Sequence, residues 1–226
     1  SRIEGPFNVT GLTPYSAERR DAGPTLHAFV RGAAIGTGRI VSIDTAAAEA
    51  APGVRLVLTH RNAPRQGTVP KRIDLFDEHP ELQSDRVAYF GQPVALVVAD
   101  TFEQARAAAA LVEVSYEATK GRFDIVEQTT DTWFDVKRFG DVDKAMAEAH
   151  ASIEAEYSTP YHFSQPMELN ACIAEWRDGH LNLYLTAQML RDLREGLAKT
   201  LLMDEETITV DSAYIGGGFG SKIGLH

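Results

Sequence analysis

Alternating apolar and polar residues predict β-strands in the first part of the chain. Arg39 to Asp44 alternates in this way, and Val54 to His60 is typical of a second strand. Between them, an alanine-rich run predicts a short helix that begins at Thr45 and ends at Pro52-Gly53. The pattern therefore indicates mixed α and β structure from the start.

A strand, a helix and a second strand are predicted next. Residues 94–98 form a β-branched run typical of a buried strand, and residues 112–117 alternate again. Between them, Thr101 and Gln104 have the spacing of a capping box at the start of an alanine-rich helix. The order fits one crossover unit over residues 94–116.

The later part of the chain repeats this mixture after a polar stretch without periodicity. That stretch, Ala118 to Thr132, is the best candidate for a domain boundary. Asp141 is the predicted cap of a short helix, and residues 151–160 are predicted as a strand ended by a proline. Further predicted elements are a hairpin over 172–186, a helix over 189–202 with Leu190, Leu193, Leu197 and Leu201 on one face, and a strand over 206–214.

Composition narrows the classes of function. The 226 residues carry a formal net charge of −10, which disfavours nucleic acid and anionic membranes as partners. The single cysteine, Cys172, excludes an intramolecular disulfide and a four-thiolate zinc or iron–sulfur site, and its alternating strand predicts a buried, inert thiol. No apolar run approaches 18 residues, so no membrane span is predicted. We expect a cytoplasmic protein, with the periplasm as the alternative.

A glycine cluster near the end of the chain, IGGGFGSK, follows the last predicted strand. A dinucleotide fingerprint would need glycine at the sixth position from Gly216, where Ser221 stands. A phosphate-binding loop would need glycine directly before Lys222, and serine is there instead. Two interpretations stay open: a backbone nest that binds an anion or polar cofactor, and a glycine-rich turn without a ligand.

Polar side chains elsewhere give weaker signals. His162, Gln165, Glu168 and Asn170 lie in one segment, where single polar residues are more often structural than catalytic. Gln188 lies near the start of the leucine-rich helix, where a lone glutamine is more often a cap than a ligand.

Several segments together resemble the molybdenum-binding subunit of the xanthine dehydrogenase and aldehyde oxidase family. Within that family, they resemble the bacterial aldehyde oxidoreductase branch most. The segments, in order, are GPFNVTGLTPYSAE, APGVRLVLTHRNAP, VAYFGQPVALVVADTFEQARAAAALVEVSYE, GDVDKAM, TPYHFSQPMELNACIAEW and GGGFGSK. The resemblance implies an α+β fold: an α/β hammerhead domain over residues 1–118, a linker over 119–137, and the first part of a mixed α/β molybdopterin-binding domain over 138–226.

The resemblance also implies a set of cofactor-binding residues. Gln188 matches the family's glutamine whose amide lies near an oxygen of the metal centre. The remaining cofactor-binding positions are Gly216, Gly217, Gly218, Phe219 and Gly220. The family's catalytic glutamate lies outside this chain, so neither a catalytic residue nor a direct metal ligand is expected within it.

Two residues depart from the family pattern. Purine-oxidising members have glutamate where this chain has Ile223, so the substrate pocket is expected to favour aldehydes over purines. Asn170 stands where the family usually has histidine.

The implied function is part of a molybdenum hydroxylase that oxidises an aldehyde or N-heterocycle with oxygen from water. The expected cofactor is molybdopterin, as the mononucleotide or the cytosine dinucleotide. Iron–sulfur and FAD subunits, the remainder of the molybdenum subunit and a small-molecule substrate are the expected partners, and this chain alone is expected to be inactive. The alternatives are a non-catalytic assembly or interaction module and one piece of a split subunit; a nucleotide-binding protein is poorly supported.

Overall fold

Nine strands and five α-helices are found in the residues that this computed structural model describes, which are 3–19, 23–67, 80–121 and 139–223. The strands are β1 (His27–Gly32), β2 (Gly38–Asp44), β3 (Val54–Thr59), β4 (Arg86–Val87), β5 (Pro93–Ala99), β6 (Glu113–Ala118), β7 (Cys172–Arg177), β8 (His180–Leu185) and β9 (Ile208–Asp211). The α-helices are α1 (Gly5–Thr10), α2 (Ala46–Glu49), α3 (Phe102–Ala110), α4 (Val142–Ala147) and α5 (Leu190–Leu201).

Two antiparallel sheets build the first region, defined as the described residues between 23 and 121. One sheet has the order β1-β5-β3 and the other has the order β4-β2-β6. Aliphatic side chains of both sheets and of α3 form one core, because β-branched and alanine residues point inward along these elements. Its buried members are Ala33, Ile40, Ile43, Ala48, Val57, Val87, Val94, Ala95, Val97, Ala108, Ala109 and Val112.

The predicted start of α3 is confirmed. The Gln104 backbone N–H donates to Thr101 Oγ1 at 3.2 Å, and the Thr101 backbone N–H donates to Gln104 Oε1 at 3.1 Å. This reciprocal pair satisfies two backbone donors that a helix start otherwise leaves unpaired. The ring of Phe102 then meets Phe29 of β1 edge to face at 5.7 Å, which fixes the helix against the sheet.

The predicted crossover unit over residues 94–116 is wrong, because β5 and β6 lie in different sheets. β5 is the central strand of its sheet and pairs with β1 on one side and β3 on the other, so neither side is left for β6. A crossover occurs instead in the second region, defined as the described residues 139–223. There α5 connects β8 to β9, and these two strands are parallel.

The predicted hairpin of the second region is confirmed as β7 and β8, which pair antiparallel. Asp178 and Gly179 make its turn with φ angles of 51° and 80°, the left-handed geometry that suits a two-residue hairpin. A small core forms where α5 packs on the sheet, and its buried members are Leu181, Leu183, Ala198 and Ile208. The predicted leucine face of α5 is buried only in its middle, at Leu193, while Leu190 and Leu201 are exposed.

The segment before β7 contains one confirmed and one wrong prediction. Asp141 caps α4, since its carboxylate accepts the Lys144 backbone N–H at 3.0 Å. Residues 151–160, predicted as a strand, form no strand and are exposed throughout. Alternation alone does not make a strand, which also requires a neighbouring strand to pair with. Most of the predicted linker, residues 122–137, lies outside the described residues.

The N-terminal segment, residues 3–19, contacts the sheet of the second region. Ser16 Oγ donates to the Leu185 carbonyl at 3.0 Å. Arg19 pairs with Asp211 at 3.0 Å and its guanidinium lies 3.7 Å from the ring centre of Tyr184. The beginning of the chain therefore contacts β8 and β9 directly.

Candidate functional site

Gln188 lies between the end of β8 and the start of α5, beside the segment that follows β9. The Ala187 backbone N–H donates to Ser212 Oγ at 3.1 Å, which joins the ends of the two parallel strands. The Gln188 backbone N–H donates to the Lys222 carbonyl at 2.8 Å. The crossover thus brings Gln188 next to the glycine cluster, although some thirty residues separate them in sequence.

The side-chain oxygen of Gln188 binds the backbone of the cluster. Oε1 accepts the Gly220 N–H at 3.2 Å and the Lys222 N–H at 3.3 Å. These two bonds orient the amide, so that its nitrogen is the end left for another partner. Gln188 is exposed, and the described residues provide no acceptor for Nε2. The side chain therefore presents an N–H donor to solvent beside the cluster.

The glycine loop, residues 216–220, has an unusual backbone. Gly217, Phe219 and Gly220 have φ angles of 97°, 50° and 90°, all in the left-handed region that favours glycine. The turn is closed by Ser221, whose backbone N–H and Oγ donate to the Gly218 carbonyl at 2.8 and 2.7 Å. The Phe219 ring is exposed.

At two positions of the loop, glycine is required because a side chain would not fit, and not because of the φ angle. A Cβ on Gly216 would lie 2.6 Å from Cβ of Glu168, and a Cβ on Gly218 would lie 2.5 Å from Oε1 of Gln188. Real Cβ atoms do not approach other atoms so closely, so any larger residue must displace Glu168 or Gln188. The close approach explains why glycine is required at these two positions.

Three consecutive backbone N–H groups of the loop have no acceptor among the described residues. They are those of Gly217, Gly218 and Phe219. By contrast, the N–H groups of Gly216 and Gly220 bind the side chains of Glu168 and Gln188. Consecutive N–H groups without an acceptor, close to the Gln188 amide, are donors of the kind that can bind an anion.

Lys222 is the largest fully buried side chain of the described residues, and its burial was not predicted from the sequence. Its Nζ donates to the Glu168 carbonyl oxygen at 2.8 Å and to Glu168 Oε2 at 3.1 Å. Glu168 Oε2 also accepts the Gly216 N–H at 2.6 Å. No periodic pattern marks such a pair, because its members are 54 residues apart.

The other polar candidates are placed differently. His162, Gln165 and Asn170 are exposed, and none of them bonds to the glycine loop within the described residues. Ser164, which the sequence did not single out, donates through Oγ to the Phe219 carbonyl at 2.8 Å. Ile223 follows the buried lysine and is half-buried.

Cys172 begins β7 and is exposed, so the prediction of a buried thiol is wrong. The surrounding protein nevertheless desolvates the sulfur and raises the pKa of the thiol. Across the described ranges, no group of three or more histidine, cysteine, aspartate or glutamate residues is placed to hold a metal ion. None of the helices in those ranges combines the length and the apolar character needed to cross a membrane.

Two family models match the chain. Residues 10–120 match the aldehyde oxidase and xanthine dehydrogenase a/b hammerhead domain, and residues 125–226 match the molybdopterin cofactor-binding domain. The glycine loop and Gln188 fall in the second match. The exact boundaries at residues 118 and 138 stay predictions.

Curated relatives are similar over almost the whole of this chain. The aldehyde oxidoreductase molybdenum-binding subunit PaoC of Escherichia coli K12 is 38% identical, over 99% of this chain and 31% of its own length. The 6-hydroxypseudooxynicotine dehydrogenase complex subunit gamma of Paenarthrobacter nicotinovorans is 31% identical, over 96% of this chain and 30% of its own length. The chain thus spans about a third of the length of these relatives.

A solved structure gives the same result for the fold. Quinoline 2-oxidoreductase from Pseudomonas putida 86 superimposes with a TM-score of 0.77 and 25% identity, over 98% of this chain and 30% of that chain. The two family models, the relatives and this superposition agree on one architecture: a hammerhead domain followed by the start of a molybdopterin-binding domain. The chain belongs to the xanthine dehydrogenase and aldehyde oxidase family, as part of its molybdenum-binding subunit.

Proposed function

We propose that this chain supplies one wall of the cofactor site in a molybdenum hydroxylase that oxidises an aldehyde. The observation that carries the proposal is the donor set of the glycine loop and Gln188, which lies in the segment matched by the molybdopterin cofactor-binding model. When bound, molybdopterin would supply the oxygen transfer and electron transfer of the reaction.

These donors fit an anionic cofactor that offers oxygen acceptors. The free N–H groups of Gly217, Gly218 and Phe219 point to close backbone contact, which the absence of a Cβ at the two glycines permits. Gln188 Nε2 would donate to an oxygen of the metal centre, because Oε1 is already held by two backbone N–H groups. Gly216 and Gly220 hold the ends of the loop in place through their own bonds.

Ile223 provides the argument for the substrate class. An apolar, half-buried side chain accepts no hydrogen bond from a heterocycle, so it favours a substrate recognised mainly by apolar contact. We therefore expect aldehydes to be better substrates than purines. The general base of the reaction, a glutamate in the family, would come from residues beyond this chain.

The proposal also assigns partners. Iron–sulfur clusters would reside on companion subunits, since the one cysteine of this chain cannot ligate a cluster by itself. FAD would also reside on a companion subunit, as the family resemblance implies. The pterin would be the mononucleotide or the cytosine dinucleotide. The subunit wording in the names of the relatives, a molybdenum-binding subunit and a complex subunit gamma, supports such an assembly.

The test is an isosteric substitution at Gln188, with a control that makes the same change of charge elsewhere. Gln188→Glu keeps an oxygen for the loop N–H groups but removes the amide donor, so turnover should fall about tenfold or more while the pterin content changes less. Gln165→Glu makes the same change at an exposed residue of the neighbouring segment and should leave turnover unchanged. The full-length protein is purified with its accompanying subunits, and pterin, molybdenum and rates with aldehydes and purines are measured.

Three results would contradict parts of the proposal. Wild-type protein without pterin or molybdenum would refute the cofactor site. Full turnover in Gln188→Glu would refute the role of the amide. Faster oxidation of purines than of aldehydes would refute the substrate class drawn from Ile223.

A further inference from the structure

We propose that Lys222 and Glu168 form a positioning pair that sets the shape of the glycine loop and, through it, the position of Gln188. The inference rests on the proposed function, because the loop is taken to be a wall of the cofactor site. It assigns a role to two residues outside the set expected to contact the cofactor.

The pair fixes both ends of the loop to one side chain. At the start of the loop, the Gly216 N–H donates to Glu168 Oε2 at 2.6 Å. Just after its end, Lys222 Nζ donates to the same oxygen at 3.1 Å and to the Glu168 carbonyl at 2.8 Å. Glu168 therefore sets the separation between the two ends of the left-handed turn.

Lys222 also transmits this constraint to Gln188. Its backbone N–H donates to Gln188 Oε1 at 3.3 Å, and its carbonyl accepts the Gln188 N–H at 2.8 Å. A movement of the lysine would therefore move the glutamine. The path from Glu168 to the exposed amide contains only direct hydrogen bonds and the side chain and backbone of Lys222.

The energetics of burial favour a positioning role. The Lys222 side chain is 0% exposed and that of Glu168 is 13% exposed. A buried ion pair adds little net stability compared with apolar side chains of the same size, since both charges lose their hydration. Apolar side chains would fill the same space but could not orient the Gly216 N–H. The pair therefore contributes to the geometry of the loop more than to the stability of the fold.

The same burial separates Lys222 from a ligand-binding lysine. A lysine of a phosphate-binding loop directs its ammonium at the ligand. Here the ammonium is enclosed and two acceptors of Glu168 occupy it. Lys222 therefore positions the loop through Glu168 and Gln188 and does not contact the cofactor.

The test combines single and double substitutions in the full-length protein with its accompanying subunits. Lys222→Met keeps the length of the side chain but leaves the Glu168 carboxylate buried without its cation, so cofactor content should fall about tenfold or more. Adding Glu168→Gln removes that charge while an amide oxygen still accepts the Gly216 N–H, so the double variant should retain more cofactor than Lys222→Met. Content is measured as pterin fluorescence after oxidation and as molybdenum per chain.

Two controls separate positioning from general stability. Lys199→Met makes the same change in an ion pair whose lysine side chain is 41% exposed, and should leave cofactor content unchanged. Leu181→Ala opens the small core of the second region, so it should lower Tm but retain cofactor at 20 °C, well below the transition. A positioning pair should also change kcat/KM of the molecules that still hold cofactor.

Each outcome decides the inference. Wild-type cofactor content and kcat/KM in Lys222→Met would overturn the inference. A double variant that retains no more cofactor than Lys222→Met would also overturn it. If Lys222→Met does not fold, Glu168→Gln alone must release cofactor severalfold faster than wild type, and unchanged release would overturn the inference. Wild-type protein without pterin would overturn the proposed function and this inference together, whereas pterin-loaded wild type with a pterin-loaded Lys222→Met would overturn the positioning pair alone.

Discussion

The first and second regions of the chain bury different kinds of side chain. In the first region, the central strand β5 buries aliphatic residues such as Val97, which is 0% exposed, while the Arg55–Asp100 ion pair lies at the surface. In the second region, the apolar core is small, and the fully buried Lys222 pairs with Glu168. Apolar burial therefore builds a stable support, and buried charge defines the geometry of the loop.

We therefore expect stability and site geometry to depend on different residues in this chain. Substitutions in the aliphatic core should lower the free energy of unfolding and leave the glycine loop unchanged. Substitutions around the loop should alter the proposed cofactor site at a smaller cost in stability. Three pairs of measurements test this expectation.

The largest effect is expected at the centre of β5. Val97→Asp places a carboxylate without a partner in the aliphatic core and should lower the free energy of unfolding by about 4 kcal/mol or more. Val41→Asp makes the same change on β2 at a residue that is 58% exposed, and should cost no more than about 0.5 kcal/mol. Thermal and urea denaturation of the two variants would compare them, and equal losses would refute the assignment of the core.

An intermediate effect is expected in the glycine loop. Gly218→Ala should displace the Gln188 side chain, cost about 1–3 kcal/mol and reduce cofactor content severalfold. Gly220→Ala meets no atom within 4 Å and strains only its φ of 90°, so it should cost about 1–2 kcal/mol and leave Gln188 in place. Parallel measurements of Tm and pterin content distinguish the two variants. A larger loss of cofactor in Gly220→Ala would contradict the role assigned to space at Gly218.

The smallest effect is expected at the exposed Arg55–Asp100 pair. The hydrogen bond from Arg55 lowers the pKa of Asp100, so the pair stabilises the fold above the ordinary aspartate pKa of about 3.9, and this stability is lost as the pH falls through the folded-state pKa. Arg55→Gln should raise the pKa of Asp100, which a carboxyl NMR titration would detect, with little change of Tm at pH 7. An unchanged titration would show that the pair does not form in solution.

The sequence predicted the local features of the fold well. The capping box of Thr101 and Gln104, the cap at Asp141 and the hairpin of β7 and β8 each depend on residues close together in sequence, and the structure confirms them. Such features follow from side-chain chemistry and alternation alone. The strand predicted at residues 151–160 failed because strand formation also depends on a distant partner.

Long-range pairings could not be predicted in the same way. Nothing local to β5 and β6 shows that they belong to different sheets, and nothing local to Lys222 shows that it is buried against Glu168. The family resemblance named Gln188 and the glycine loop, whose role in binding stays a prediction. The contacts that hold them together became visible only in the folded chain.

The contacts of the N-terminal segment can form only late in the synthesis of this chain. Ser16 and Arg19 find their partners 169 and 192 residues later in the chain. At ribosomal elongation rates these two side chains wait on the order of 10–40 s before β8 and β9 emerge. During that interval the first region has already been made and can fold, while the N-terminal segment stays accessible to chaperones and proteases. Within the described residues, Ser16 and Arg19 thus gain these contacts later than the first region can gain its own.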